Sequence, residues 1–168
     1  MLRKEGACVP NMTTTGRLES SASTAAAAVT VVVDDSPVVL RLLTMLLEDQ
    51  GFQVVGACDG DEALARIRQF SPGLVVIDAT IPKRSGYEVC EALRADLSLA
   101  RQPYVIMLTA GGQSADRERA ERSGVDEFMT KPFSPSKLLD RVTELLSAPP
   151  VVAAAGTTPP PGRTPPWT

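Results

Sequence analysis

Between residues 29 and 147 the chain alternates five times between a short apolar run and a longer amphipathic run. The short runs are rich in valine and isoleucine, as strands buried on both faces of a parallel sheet are; they cover residues 29–33, 52–56, 74–77, 104–108 and 127–129. The longer runs space their apolar residues as helices do; they cover residues 37–48, 62–69, 87–95, 115–122 and 137–146. Five strand–helix units in series predict an α/β domain with helices on both faces of a parallel sheet.

The residues that bound the amphipathic runs support this interpretation. Ser-Pro pairs at 36–37 and 134–135 combine a helix-capping residue with a proline suited to the first turn. Gly51 and Gly124 stand where two of the helices should end. Because crossovers between parallel strands are right-handed, few topologies remain, and we expect the doubly wound, flavodoxin-like order 2-1-3-4-5.

The segments outside this alternation lack the pattern of a folded core. Residues 1–28 are rich in threonine, serine and alanine and predict a disordered arm. Residues 148–168 hold half of the 14 prolines and predict an extended tail, either a flexible one or a proline-rich ligand for another domain. We therefore predict one folded domain over residues 29–147.

Composition removes several classes of chemistry. The chain has no histidine, which excludes histidine-based nucleophilic triads, histidine-ligated zinc and a phosphohistidine role. Its three cysteines, Cys8, Cys58 and Cys90, are widely spaced and do not indicate a disulfide framework or a zinc site. The net charge is −3, with no basic stripe of the kind that binds nucleic acid. No apolar run is long enough for membrane insertion or for a secretory signal, so we expect a cytoplasmic protein.

Polar side chains follow the predicted strands at the edge where ligands bind in doubly wound sheets. Asp34 and Asp35 follow the first strand, and Asp78 follows the third. Thr109 follows the fourth strand, and Lys131 comes shortly after the fifth. Each residue alone has a simpler explanation, such as a helix cap or a turn. Together they predict that three carboxylates, a hydroxyl and an ammonium group converge on one crevice.

This set of groups favours phosphate chemistry with a metal ion. Three adjacent carboxylates repel one another, and Mg²⁺, which prefers oxygen ligands, would relieve that repulsion. Asp78 is the candidate nucleophile, since a carboxylate can form an aspartyl phosphate. Thr109 and Lys131 are candidates for neutralising the phosphoryl oxygens.

Four motifs carry a resemblance to a known family. They read VVVDDSP at 31–37, IDATIPKRSG at 77–86, MLTA at 107–110 and FMTKPF at 128–133. With these motifs, residues 30–146 resemble a response regulator receiver domain of two-component systems, of the stand-alone chemotaxis or relay type.

The resemblance implies roles for individual residues. It implies that Asp34 and Asp35 position Mg²⁺, that Asp78 is the phosphoacceptor, and that the Thr80 backbone carbonyl is a further metal ligand. It also implies a phosphate-binding Lys131 joined to Pro132 by a cis peptide bond. It further implies that the switch residues are Thr109 and Phe128.

The resemblance further implies a signalling role. A sensor histidine kinase or a phosphotransfer protein would donate the phosphoryl group, and the switch would alter the surface of the fourth helix, fifth strand and fifth helix. We expect no enzymatic activity beyond assistance to the chain's own phosphorylation and dephosphorylation. Only 22 residues follow residue 146, so we expect output through a downstream protein target, without nucleic acid, from a monomer or weak dimer.

Two alternatives use related features. A haloacid dehalogenase-like Mg²⁺-dependent phosphatase also has a nucleophilic aspartate at a strand end, but it usually carries Asp-x-Asp after its first strand, where this chain has Asp34-Asp35. A flavodoxin-like cofactor binder would need a phosphate loop rich in serine, threonine and glycine at that position.

Overall fold

A computed structural model of the chain describes residues 29–111 and 114–147. The predicted arms at 1–28 and 148–168 lie outside these residues. The strands are β1 (Val29–Val33), β2 (Gln53–Ala57), β3 (Leu74–Asp78), β4 (Tyr104–Thr109) and β5 (Glu127–Thr130). The helices are α1 (Pro37–Glu48), α2 (Gly60–Phe70), α3 (Gly86–Ala95), α4 (Ser114–Arg122) and α5 (Pro135–Ser147).

The five strands form one parallel sheet in the order β2-β1-β3-β4-β5. This order confirms the predicted doubly wound, flavodoxin-like fold. The central strand β3 is buried along its whole length, which explains its continuous apolar sequence. Because all strands run the same way and β1, β3 and β4 are paired in register, their carboxyl ends meet at one edge of the sheet, called here the carboxyl edge.

Two hydrophobic clusters cover the two faces of the sheet. Alternate residues of each strand point to opposite faces, so Val31 belongs to the cluster that includes α2 and α3, and Val32 to the one that includes α1 and α5. Among the described residues of α4, Ala120 alone joins a buried cluster. The longest described helix has 13 residues, and no helix in the described ranges is long and apolar enough to cross a membrane.

The helix ends agree with most of the local predictions. α1 and α5 begin at their prolines, and Gly51 and Gly124 adopt left-handed φ values of 85° and 79° after α1 and α4. Ser36 is the N-cap residue of α1, as predicted, but its side chain makes no capping hydrogen bond. The Ser36 backbone N–H instead donates to Asp34 Oδ1 at 2.9 Å, which draws this turn toward the carboxylate.

At the opposite edge of the sheet, called here the amino edge, one arginine links α3 to the segments that precede β4 and β5. Arg94, in the last turn of α3, donates to acceptors in the segments that precede β4 and β5: the carbonyl oxygens of Gly124 (2.9 Å) and Pro103 (2.9 Å), Gln102 Oε1 (3.4 Å) and Asp126 Oδ2 (2.7 Å). Asp126 Oδ2 also accepts from the Val105 N–H at 2.8 Å. This cluster ties α3 to the start of two strands.

Candidate functional site

The structure brings the three predicted carboxylates together at the carboxyl edge. One carboxylate oxygen from each of Asp34, Asp35 and Asp78 lies within 4.8 Å of the others. Asp34 is 1% exposed and Asp78 is 8% exposed, whereas Asp35 is open to solvent. The cluster therefore has a buried part and one side that water can reach.

Backbone hydrogen bonds fix the two buried carboxylates. The Asp34 N–H donates to the Ala57 carbonyl at 3.2 Å, which extends the pairing of β1 and β2 by one residue. Directly after Asp78, the Ala79 N–H donates to the Leu108 carbonyl at 2.7 Å and extends the pairing of β3 and β4. Both side chains thus stand on rigid strand ends, which favours a fixed geometry.

Lys131 joins the two buried carboxylates. Its Nζ lies 2.7 Å from Asp34 Oδ2 and 2.7 Å from Asp78 Oδ2. Burial acts to lower the pKa of Lys131, but the hydrogen bonds and charges of the two aspartates outweigh it, so the pKa is raised above its usual value. The ammonium group therefore remains charged at neutral pH. Within residues 29–111 and 114–147, Lys131 supplies one positive charge against the three negative charges of the carboxylates, which leaves the cluster with excess negative charge.

The chain reaches this position through the β4–β5 pairing. The Lys131 N–H donates to the Thr109 carbonyl at 2.6 Å, just beyond the end of β5. The peptide bond between Lys131 and Pro132 is cis, as the resemblance implied. Thr109 is 5% exposed, and its hydroxyl accepts a hydrogen bond from the Gly111 N–H at 3.1 Å. Thr109 and Lys131 therefore lie on adjacent strand ends.

The structure places the predicted residues Phe128 and Thr80 in different parts of the molecule. Phe128 is half-buried and packs against the core cluster on the face of α2 and α3. The Thr80 N–H donates to Asp78 Oδ1 at 3.1 Å, which places the first peptides after β3 beside the carboxylate. The structure thus sets Thr80 next to the acidic cluster and Phe128 within the fifth strand.

A tight approach behind Asp78 was not recognised from the sequence. A Cβ atom at Gly86 would lie 2.3 Å from the Asp78 carbonyl oxygen, so no other residue fits there without a shift. The Gly86 N–H donates to the Ala79 carbonyl at 3.0 Å and closes the β3–α3 loop, residues 79–85. The Ser-Gly pair that ends the second motif indicates the start of α3, since Ser85 caps that helix with Glu88, but it does not indicate the approach to Asp78.

The cluster has the donor atoms that a hard divalent cation requires. Carboxylate oxygens are the preferred ligands of Mg²⁺, and the accessible side near Asp35 leaves room for water and phosphate oxygens. The residues that could hold such an ion are Asp34, Asp35 and Asp78, with backbone oxygen from the adjoining loop. The arrangement fits a metal and a phosphoryl group at the same place.

Comparison with known proteins gives a family match and several relatives. The family model for the response regulator receiver domain matches residues 30–143. The probable transcriptional regulator ycf27 of Cyanophora paradoxa is 42% identical over 108 residues, which cover 64% of this chain and 44% of that protein. The DNA-binding dual master transcriptional regulator RpaA of Synechocystis sp. is 40% identical over 110 residues, which cover 66% of this chain and 45% of that protein.

Solved structures show the same fold. The chemotaxis response regulator CheY4 of Vibrio cholerae has a TM-score of 0.65 and 28% identity, with coverage of 70% of this chain and 98% of that one. The signal receiver domain of a signal transduction histidine kinase from Syntrophus aciditrophicus has a TM-score of 0.68 and 30% identity, with coverage of 80% and 99%.

These comparisons bear on the remaining expectations. The two curated relatives are described as transcriptional regulators, and nothing among them supports the phosphatase alternative. The chain spans about half the length of the curated relatives it matches. Because one of these relatives is described as DNA-binding, the expected absence of nucleic acid among the partners is not confirmed. The family match covers most of the chain and agrees with the sheet order, and the chain therefore belongs to the response regulator receiver family of two-component systems.

Proposed function

We propose that residues 29–147 form the phosphoacceptor module of a two-component phosphorelay, in which Asp78 receives a phosphoryl group with the help of Mg²⁺. The observation that carries this proposal is the paired contact of Lys131 Nζ with Asp34 and Asp78, beside the third carboxylate of Asp35. A phosphoryl group on Asp78 would lie within reach of a fixed cation. The donor is a sensor histidine kinase or a phosphotransfer protein.

The proposed reaction is an in-line transfer between a phosphohistidine and a carboxylate. An oxygen of Asp78 attacks phosphorus, and the bond between phosphorus and the imidazole nitrogen breaks. The imidazole keeps the electron pair of that bond and takes up a proton from solvent. Phosphoryl transfer depends mainly on positioning and on neutralisation of charge, and the rigid strand end beneath Asp78 supports the first of these.

The other residues of the cluster would supply the neutralisation. Asp34, Asp35 and Asp78, with the Thr80 backbone carbonyl, would hold Mg²⁺, which when bound offsets negative charge on the phosphoryl oxygens. Lys131 keeps its proton, because its pKa is raised, and it would pair with a phosphoryl oxygen once Asp78 carries the acyl phosphate. Receiver domains generally bind Mg²⁺ at an acidic pocket of this kind.

The proposed output is a change in the surface formed by α4, β5 and α5. The Thr109 hydroxyl would move toward the phosphoryl group, and Phe128, which is half-buried, would move into the space it leaves. α4 places one described residue in the core, Ala120, so shifting this helix disturbs little packing. Such a switch is a population shift between two arrangements, which a downstream protein target would read from a monomer or weak dimer.

The proposed donor surface lies on α1. Val38, Leu42 and Met45 are 75%, 45% and 54% exposed, and their spacing places them on one face of the helix. This apolar face begins three residues after Asp35, so a donor that covers it brings its histidine to the cluster. Leu42→Asp should slow transfer from the cognate kinase and leave labelling by acetyl phosphate unchanged; equal slowing with both donors would contradict docking on α1.

Labelling with acetyl phosphate and Mg²⁺ tests the proposed function. Intact-mass measurement should show one base-labile phosphoryl group on the wild-type chain, none on Asp78→Asn, and none when EDTA removes Mg²⁺. Asp49→Asn, which changes an exposed aspartate beyond the end of α1, is the matched control and should label like the wild type. Labelling of Asp78→Asn, or hydrolysis of many equivalents without a stable product, would contradict the proposal.

A further inference from the structure

The β3–α3 loop rests on the first turn of α2. The Gly60 N–H, at the start of α2, donates to the Pro82 carbonyl at 3.2 Å, and the Arg84 N–H donates to the same oxygen at 2.8 Å. The loop also contains Thr80, whose carbonyl the proposed function assigns to Mg²⁺. The position of this carbonyl therefore depends on how closely the loop approaches α2.

Gly60 makes the close approach possible. A Cβ atom at this position would lie 2.6 Å from the Arg84 Cβ, 2.6 Å from the Arg84 carbonyl oxygen and 3.0 Å from Val89 Cγ2. Two of these atoms belong to the loop, one of them to its backbone, so relief requires the loop to move. Gly60 is the first residue of α2 and its φ is not in the left-handed region. Proximity, and not backbone conformation, is what requires glycine here.

Two ion pairs flank this contact. Lys83 Nζ lies 2.7 Å from Asp59 Oδ2, and Arg84 Nε lies 2.6 Å from Asp61 Oδ1. The hydrogen bond that the Lys83 ammonium donates to Asp59 is the main cause of a raised pKa at Lys83. Pairs as exposed as these contribute little to stability, but both join the same loop to the same helical turn. They therefore oppose movement of the loop away from α2.

The loop also adopts a conformation that needs outside support. Lys83 has a φ of 67°, in the left-handed region that is unfavourable for a residue with a Cβ atom. Strain of this kind persists where surrounding contacts hold the backbone, and it is common next to functional sites. Here the supporting contacts come from Asp59, Gly60 and Asp61.

We propose that Gly60 is a positioning residue for the metal site: it lets the β3–α3 loop seat on α2, and this seating holds the Thr80 carbonyl where Mg²⁺ binding needs it. The ion pairs of Lys83 and Arg84 assist in the same role. The inference rests on the proposed function, since it concerns the same acidic cluster.

Calorimetric titration of the full chain with Mg²⁺ tests this role. Gly60→Ala should weaken Mg²⁺ binding about 10-fold, as is typical when a residue that orients a metal ligand is changed. Its Tm without Mg²⁺ should fall by only about 5 °C, because the helix propensity of alanine offsets part of the cost of displacing the loop. Gly56→Ala is the matched control: the three atoms nearest to a Cβ at Gly56 all belong to the flexible Leu40 side chain, the nearest at an ordinary 3.4 Å, so its Mg²⁺ affinity should match the wild type.

The outcomes separate this inference from the proposed function. Mg²⁺ affinity in Gly60→Ala within a factor of about two of the wild type would overturn the positioning role alone. A wild-type chain that does not bind Mg²⁺ would overturn the proposed function, and the positioning role with it. If Gly60→Ala does not fold, the double variant Lys83→Met, Arg84→Met decides: about threefold weaker binding supports the role, and unchanged binding rejects it.

Discussion

The two edges of the sheet use charged side chains in opposite ways. At the amino edge, one guanidinium faces one carboxylate, and the donors of Arg94 meet acceptors from the segments that precede two strands. At the carboxyl edge, three carboxylates cluster and the ammonium group of Lys131 contacts two of them, Asp34 and Asp78. The first arrangement is balanced in charge, and the second is not.

This difference separates a structural role from a functional one. A hydrogen-bonded ion pair with balanced charge can stabilise the folded chain without a ligand. Crowded carboxylates lower the free energy of unfolding, and a bound cation can offset that loss. Proteins commonly keep such unfavourable groups where they act. We therefore expect substitutions at the amino edge to change stability, and those at the carboxyl edge to change ligand binding as well.

The largest expected effect is at the amino edge. Arg94→Ala leaves Asp126 without its cation and removes hydrogen bonds to the starts of β4 and β5, so the free energy of unfolding should fall by about 3 kcal/mol. Below the unfolding temperature its Mg²⁺ affinity should match the wild type. Urea unfolding and calorimetry measure the two quantities, and a parallel loss of Mg²⁺ affinity would break the contrast between the edges.

A somewhat smaller effect is expected for Lys131→Met. Without Mg²⁺ the buried carboxylates of Asp34 and Asp78 lose their cation, and the free energy of unfolding should fall by about 2 kcal/mol. Because Mg²⁺ can offset the same charges, it should raise the Tm of this variant more than that of the wild type. The control is Lys137→Met, at an exposed position of α5. A Tm gain from Mg²⁺ no larger than in the wild type would argue against shared neutralisation.

Asp35→Asn should raise the free energy of unfolding, in contrast to the two preceding substitutions. Removing one charge from the crowded cluster should raise the free energy of unfolding without Mg²⁺ by about 0.5 kcal/mol, a small amount because Asp35 is exposed. Mg²⁺ binding should become markedly weaker. Measuring both the free energy of unfolding and the Mg²⁺ affinity sharpens the comparison of the two edges. No substitution at the amino edge should raise the first and lower the second. Asp35→Asn with undiminished Mg²⁺ affinity would remove Asp35 from the site.

The smallest effect is expected for Arg68→Ala. Arg68 Nε lies 2.8 Å from Asp96 Oδ2, but its side chain is 56% exposed. Exposed pairs contribute little, so the Tm should change by no more than about 2 °C. This variant is the matched control for Arg94→Ala, since both change an α-helical arginine paired with an aspartate. A loss of stability as large as that of Arg94→Ala would show that the burial of an arginine–aspartate pair does not determine its contribution to the free energy of unfolding.

Local sequence patterns were sufficient for most of the fold. β1 and α1 lie at the predicted residues, because a buried apolar strand and a proline mark their limits. α2 begins at Gly60, two residues before the prediction, since Asp59 caps it by accepting from the Glu62 N–H. The edge strand β2 begins one residue late, because the Phe52 N–H still donates to the Leu47 carbonyl in the preceding turn.

Contacts between distant segments were outside the reach of such patterns. The meeting of the three carboxylates was predictable, because each follows a parallel strand and the sheet topology brings the ends of those strands together. Nothing in the local sequence pairs Arg84 with Asp61 or Arg94 with Asp126, since these contacts depend on how side chains 23 and 32 residues apart extend over neighbouring elements. The close packing at Gly60 and Gly86 likewise depends on how near another segment of the backbone comes to each glycine. Local sequence does not indicate that distance.

The contact between Lys131 and Asp34 spans 97 residues of sequence. A chain emerging from the ribosome therefore has its acidic residues long before it has the lysine that joins them. Until β5 takes its place beside β4, the ammonium group that joins Asp34 and Asp78 is missing from the cluster, and on the proposed function a truncated chain would lack the cation that pairs with the phosphoryl group. The proposed signalling role would therefore depend on completion of the fifth strand, the last of the sheet to be synthesised.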